Sequence, residues 1–128
     1  MLNKQEILKQ LKQLPLDPQQ YCVMTGAALV IYGVRPQTAD IDLGCTEAQF
    51  DELLKKGYER REKKGNPCIL IEDMIEIYRN WLPEKIVYID GVPLADILCI
   101  RDYKQSLGRE KDFIDLDLID RFLNNERK

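Results

Sequence analysis

Asp40 and Asp42 stand one residue apart in Asp40-Ile41-Asp42-Leu43. On a strand this alternation points both carboxylates to one side, about 6–7 Å apart, with Ile41 and Leu43 on the other. Like charges so placed repel, and burying either beside apolar neighbours is costly without compensation. Two readings follow. One aspartate is a solvated edge residue, or the pair holds a cation, for which a hard oxygen-ligated ion such as Mg²⁺ is suited. A third carboxylate is offered by Met74-Ile75-Glu76-Ile77-Tyr78, where Glu76 sits between isoleucines as Asp42 sits between Ile41 and Leu43. Asp40, Asp42 and Glu76 are therefore the candidate metal ligands. Arg35, pairing with Asp40 or Asp42, could also hold the site without metal.

Upstream, Thr25-Gly26-Ala27 falls between a strand and a short apolar helix, where small residues let backbone N–H groups approach a phosphate. No Gly-Lys-Ser/Thr follows, so this is not a P-loop, and the dinucleotide fingerprint Gly-x-Gly-x-x-Gly is absent. The chain contains no histidine. That removes Ser-His-Asp and Cys-His triads, histidine bases and histidine-ligated zinc together. Cys22, Cys45, Cys68 and Cys99 form no Cys-x-x-Cys pair and read as buried, reduced thiols. Chemistry is left to carboxylates, Lys, Arg, Tyr or an oxygen-bound metal.

With 45% hydrophobic and 32% charged residues over 128 positions, the chain reads as one globular domain, 1–128. No apolar run is long enough for a bilayer and no apolar signal region opens the sequence, so a cytoplasmic location is expected. A net charge of −3 argues against general nucleic-acid binding. Lys55, Lys56, Arg60, Arg61, Lys63 and Lys64 make one local exception, either a solvated helix end and loop or a docking patch for a polyanion.

The elements that must position these residues follow from periodicity and punctuation. Asn3 to Leu14 reads as an amphipathic helix, capped by Asn3 with Glu6 and ended by Pro15 and Pro18. Tyr21–Met24 is a strand, Ala27–Tyr32 a short buried helix closed by Gly33, and Ala39–Cys45 a strand. Thr46-Glu47-Ala48-Gln49 is a capping box opening a helix that ends at Gly57. Tyr58–Arg61, Cys68–Ile71, Met74–Tyr78 and Ile86–Ile89 are strands, and Asp90-Gly91 turns into Val92–Leu94. Ala95–Leu107 and Glu110–Leu123 close the chain as two helices. This order argues for an α+β domain with a mixed β-sheet flanked by helices and a C-terminal helical pair.

Together these pieces resemble the DNA polymerase β-type nucleotidyltransferase superfamily. Its pattern is a hydrophobic residue and Gly-Gly/Ser, a spacer, then Asp-hydrophobic-Asp/Glu-hydrophobic, with a third acid on a later strand. Met24-Thr25-Gly26 matches with Thr25 where the first Gly is usual; Gly26-Ala27 read as the pair puts Ala27 at the Gly/Ser position. Asp40-Ile41-Asp42-Leu43 matches in full. In detail the chain is similar to small bacterial AbiEii/MenT-like proteins. Ala28-Leu29, Gly33, Arg35 and Thr38-Ala39-Asp40-Ile41-Asp42-Leu43 follow their order. Lys104, Gly108-Arg109-Glu110-Lys111-Asp112 and Asp115 look like their C-terminal segment.

The resemblance implies a nucleotidyltransferase fold and Mg²⁺-dependent transfer of a nucleoside monophosphate from an NTP such as ATP. The acceptor would be RNA (tRNA), a protein or a small molecule such as an antibiotic. It assigns Asp40, Asp42 and Glu76 to two-metal catalysis. Thr25, Gly26, Ala27, Arg35, Thr38, Lys104 and Lys111 fall to the nucleotide, and a homodimer or an antitoxin is a possible partner. Thr25 in place of Gly, and Glu76 in place of the commoner Asp, keep an alternative open. That alternative is an inactive nucleotidyltransferase-fold binding protein, such as a toxin–antitoxin component.

Overall fold

The computed structural model describes residues 1–126. Among these residues are five helices and seven strands, alternating as far as the third helix, then five strands in succession and two closing helices. The first half holds α1 (Lys4–Lys12), β1 (Tyr21–Met24), α2 (Thr25–Tyr32), β2 (Ile41–Cys45), α3 (Glu47–Lys55) and β3 (Arg61–Lys63). The second holds β4 (Asn66–Ile71), β5 (Ile75–Arg79), β6 (Ile86–Ile89), β7 (Val92–Ala95), α4 (Ile97–Leu107) and α5 (Glu110–Glu126). The strands form one sheet in the order β3-β4-β5-β2-β1-β7-β6. β1 runs antiparallel to β2 and parallel to β7, and β2 runs parallel to β5. The sheet is therefore mixed, as expected.

Burial explains the central strands. Ile41, Leu43, Ile75 and Ile77 are wholly or almost wholly buried, and the residues between them face the other side of the sheet. Each such side chain contributes about 1.5–3 kcal/mol relative to exposure. Phe50 and Leu53 of α3 join the same core, as does Ile119 of α5.

Local chemistry sets the ends. Asn3 accepts from the Glu6 amide, and the Asn3 amide donates to Glu6, closing both halves of the box. At α3 only half of the expected box forms: Thr46 accepts from Gln49 N–H, while the Gln49 side chain accepts the Asp17 amide at 2.8 Å. Buried Gln49 thus ties the loop before β1 to α3. Asp90 and Gly91 both have positive φ, the signature of the tight two-residue turn between β6 and β7.

Other boundaries move by a few residues. α2 starts at Thr25, so Gly26 is inside the first turn instead of before it. β2 starts at Ile41 and leaves Asp40 on the preceding loop. The strand expected over Tyr58–Arg61 lies at Arg61–Lys63, where it can pair with Asn66–Cys68. Ala95 belongs to β7, and Asp96 caps α4 by accepting the Leu98 amide. Cys22, Cys45 and Cys68 are buried free thiols, whereas Cys99 is only partly buried. Among the described residues, no helix is long and apolar enough to cross a membrane.

Candidate active site

Register places the acids. Asp42 on β2 lies between Met24 of β1 and Glu76 of β5, so the two carboxylates are direct cross-strand neighbours. Adjacent strands stand about 4.8 Å apart, close enough for the two charges to feel each other. The Thr25 hydroxyl donates to Asp42 Oδ2 at 3.1 Å. Asp42 Oδ1 is buried and has no hydrogen-bond partner. Burial, with Glu76 and Asp40 adding to it, pushes the Asp42 carboxyl above the usual carboxylate range despite the Thr25 bond and Lys63. An orphaned, oxygen-only donor beside two further acids fits a hard cation.

Glu76 is held differently. Burial raises its pKa, but hydrogen bonds from Lys63, at 2.6 Å, and from the Tyr78 hydroxyl outweigh that and keep it low. Lys63 reaches it from β3, at the sheet edge. Asp40 is exposed at the cavity rim. Among the described residues, no three acidic, cysteine or histidine side chains converge into a ready metal cage. The three expected ligands share a cavity without forming a closed set, because Glu76 is engaged by Lys63 and Asp40 sits outside the strand.

That cavity, about 850 Å³, is lined by Thr25, Gly26, Arg35, Thr38, Asp40, Asp42, Glu76, Lys104 and Lys111, among others. Ala27 is the exception. With α2 starting at Thr25, its side chain turns into the core and is 1% exposed, so it does not line the cavity. Gly26 does. A Cβ there would come within 3.0 Å of Thr38 Oγ1 and 3.2 Å of Arg35 Nη1. The missing side chain is what lets those two residues close in. Thr38 is fixed in turn by paired backbone hydrogen bonds to Leu2.

Thr25 has φ 45°, a left-handed conformation that is uncommon for a β-branched residue. A glycine would adopt it without strain, which gives the glycine usual at this place in the resembled pattern a backbone reason. Thr25→Ala and Thr25→Gly both lose the bond to Asp42, so they differ only in backbone. Thr25→Gly is expected to be the more stable by about 1 kcal/mol, inverting ordinary helix propensity. Urea denaturation of the pair decides it: an alanine variant more stable than the glycine one would contradict the left-handed geometry.

Lys104 is not a free cation. It is buried, with Nζ 2.8 Å from Asp115 and 3.7 Å from Asp112. Arg35 also pairs with Asp115 at 3.3 Å, not with Asp40 or Asp42. Arg109 forks onto Asp112 through Nε and Nη2. This cluster locks α4 to α5 and α5 to the loop after α2. Lys111, exposed on the cavity wall, enters no ion pair among the described residues, and neither does Arg79.

Hydrogen bonds from Arg109 hold the Asp112 carboxyl below its usual range, more than offsetting its burial, with help from Lys104. The unfolded-state pKa is near the model-peptide value of about 3.9, so this stabilisation is complete above it and is lost as pH falls toward the folded value. Stability should therefore drop steeply below about pH 4, and Asp112→Asn should flatten that drop. Thermal denaturation across that interval tests this; an unchanged slope in the variant would remove Asp112 as the cause.

Residues missed in the sequence also line the cavity: Tyr78, Arg79, Trp81 and Tyr103, together with Lys63 of the basic run and Arg109 of the C-terminal segment. Tyr78 follows Glu76 by two positions on one strand face, so its place was available from the alternation. Trp81 had a subtler signal in Gly44, inside a strand. A Cβ at Gly44 would lie 1.6 Å from the Trp81 carbonyl oxygen, so this segment crosses directly over β2.

The seven-stranded mixed sheet with its flanking helices and C-terminal helical pair makes an α+β fold that a solved structure shares. A candidate nucleotidyltransferase from Thermotoga maritima, known from its crystal structure, shares it with a TM-score of 0.59. The two are 14% identical, and the match covers 97% of this chain and 96% of that one. At this identity the likeness is one of fold. No family model and no curated protein matches the chain.

Proposed function

We propose that this protein is a Mg²⁺-dependent nucleotidyltransferase, moving a nucleoside monophosphate from an NTP to an acceptor with release of pyrophosphate. The observation that carries this reading is Asp42, partly buried, whose buried Oδ1 has no hydrogen-bond partner in a cavity it shares with Asp40 and Glu76. These three acids would hold the metal, which when bound supplies charge stabilisation for the attacking and leaving oxygens.

The chain's own residues do the rest. The first turn of α2, opened up by Gly26, presents backbone donors to phosphate oxygens. Arg35, Arg79 and Lys111 contribute positive charge along the walls. An acceptor oxygen forms its bond to the α-phosphorus as the bond to pyrophosphate breaks, and its proton passes to Glu76. For that, Lys63 must leave Glu76, and the triphosphate is the natural new partner for its ammonium group. Within the class, the order of Arg35, Thr38 and Asp40–Leu43, with Lys104 and Asp115 on the same cavity, supports an AbiEii/MenT-like member. The acceptor would be RNA, a protein or a small molecule such as an antibiotic.

Calorimetric titration with each of the four NTPs, with and without Mg²⁺, tests the reading. Wild type should bind at least one NTP only when Mg²⁺ is present. Asp42→Asn should weaken that binding about a hundredfold or more, roughly 2.7 kcal/mol. The same variant should gain about 1 kcal/mol of folding stability, since an unsatisfied buried charge is removed. Folded wild type that binds no NTP would end the enzyme reading. The Lys63–Glu76 pair favours a second one, in which the third acid stays closed and the fold serves as a binding module in a toxin–antitoxin pair.

A further inference from the structure

The cavity lining is of two kinds. Carboxylates and cations make up one. The other is apolar and aromatic, contributed by Trp81, Tyr103, Leu107, Ile114 and Leu118. Tyr103, Leu107 and Ile114 are 39%, 38% and 63% exposed, so the chain leaves large hydrophobic surface open here, inside a concave site. Exposed apolar surface grouped in a cavity marks a ligand contact more often than chance exposure does.

A line of contacts runs from the acids to the aromatic residues. The Tyr78 hydroxyl bonds Glu76; the Tyr78 ring meets Trp81 edge-on, with centroids 5.5 Å apart and planes at 86°. Trp81 then meets Tyr103 at 5.7 Å and 59°. One contact is edge-to-face and the other tilted, so Trp81 forms no parallel stack with either tyrosine. Gly44 fixes the spacing. It follows Asp42 by two residues on β2, and the Trp81 backbone rests directly on it. The indole segment therefore crosses β2 about 6–7 Å along the strand from Asp42.

We propose that Trp81 and Tyr103 form a stacking subsite for the planar base of a nucleotide whose phosphates lie toward Asp42. The proposal rests on the nucleotide reading above and adds to it the group that recognises the base. An aromatic ring selects a π-face and tolerates any base, so the subsite contributes affinity more than base choice. Tyr103 comes from α4 and Trp81 from the loop after β5, so the Lys104 cluster that seats α4 also sets this wall.

Trp81 is the sole tryptophan, so its fluorescence reports on this site alone. The probes are ATP and UTP with Mg²⁺, inorganic tripolyphosphate with Mg²⁺, and the free nucleosides adenosine and uridine. Both NTPs should quench Trp81 and bind roughly tenfold more tightly than tripolyphosphate, which lacks a base. Tyr103→Leu, at a half-exposed position, should bring NTP affinity down toward that of tripolyphosphate and leave tripolyphosphate binding as it was. Trp81→Leu should do the same by calorimetry. Adenosine and uridine should quench Trp81 equally in wild type and Asp42→Asn, even if no NTP binds through a metal; that result would keep the base subsite and discard the transferase reading. Equal affinity for NTP and tripolyphosphate, or nucleosides that leave Trp81 emission unchanged, overturns the subsite while leaving the metal–phosphate reading intact.

Discussion

Lys104→Met should destabilise the fold by about 3 kcal/mol, a large share of the total for a chain of this size. The Lys104 side chain is 7% exposed and sits against two carboxylates that are 0% and 9% exposed. Methionine fills the same space but leaves the acids a cation short. Breaking a buried pair by removing one partner typically costs about 3–5 kcal/mol. Arg109 still serves Asp112 and Arg35 still serves Asp115, which pulls the expectation to the lower end. Adding Asp115→Asn to Lys104→Met should recover part of the loss, since the uncompensated charge then disappears. Urea denaturation of the single and double variants is the measurement. A single-variant loss below about 1 kcal/mol would place Lys104 with surface ion pairs instead.

Gly44→Ala is the second large effect. The added methyl carbon would stand 1.6 Å from the Trp81 carbonyl oxygen and 2.7 Å from its carbonyl carbon. Both are backbone atoms, so no rotamer change relieves the contact. Either β2 bows away from its neighbours or the Trp81 segment lifts off the sheet. Overpacking a tight site usually costs about 1–3 kcal/mol, and a backbone collision belongs at or above the upper limit. The indole should also become more exposed, with its emission shifted to longer wavelength. Wild-type thermal stability and unshifted emission in Gly44→Ala would mean that the segment does not rest on β2. Gly57 makes a control: it has positive φ but nothing within 4 Å of its added carbon, so alanine there tests conformation without collision.

Much of this architecture was legible because its signals are local. The alternation over Ile41–Leu43 and Ile75–Ile77 located two central strands, and the acids between these apolar residues turned out to be cross-strand neighbours. Asn3, Thr46, Gly33 and Asp90-Gly91 marked ends that chemistry fixes within a few residues. Hidden features depend on partners distant in sequence. Nothing around Lys104 reveals that Asp112 and Asp115 absorb its charge, because that requires α5 to fold back on α4. Lys63 read as one member of a basic run; only the β3–β4–β5 pairing brings it to Glu76. Thr25 could not be seen as left-handed from its type, since a β-branched residue argues against that conformation. Ala27 was assigned to the phosphate by motif position and went to the core when the helix began two residues earlier.

The order of strands also carries a temporal consequence. β1 lies at the heart of the sheet, yet one of its two neighbours is β7, and Val23 finds its parallel partner only at Leu94. While the chain is being synthesised, β1 and β2 can pair early, but the second edge of β1 stays open until most of the sequence has emerged. Nucleation must then close a long loop before that contact brings any gain, which makes folding slow compared with a helical bundle of equal length. For that interval an apolar strand, Tyr21-Cys22-Val23-Met24, presents unpaired amides and carbonyls to other chains. Nascent chains of this protein are thus most exposed to misassembly before residues 92–95 arrive, and β7 acts as the clasp that ends that exposure.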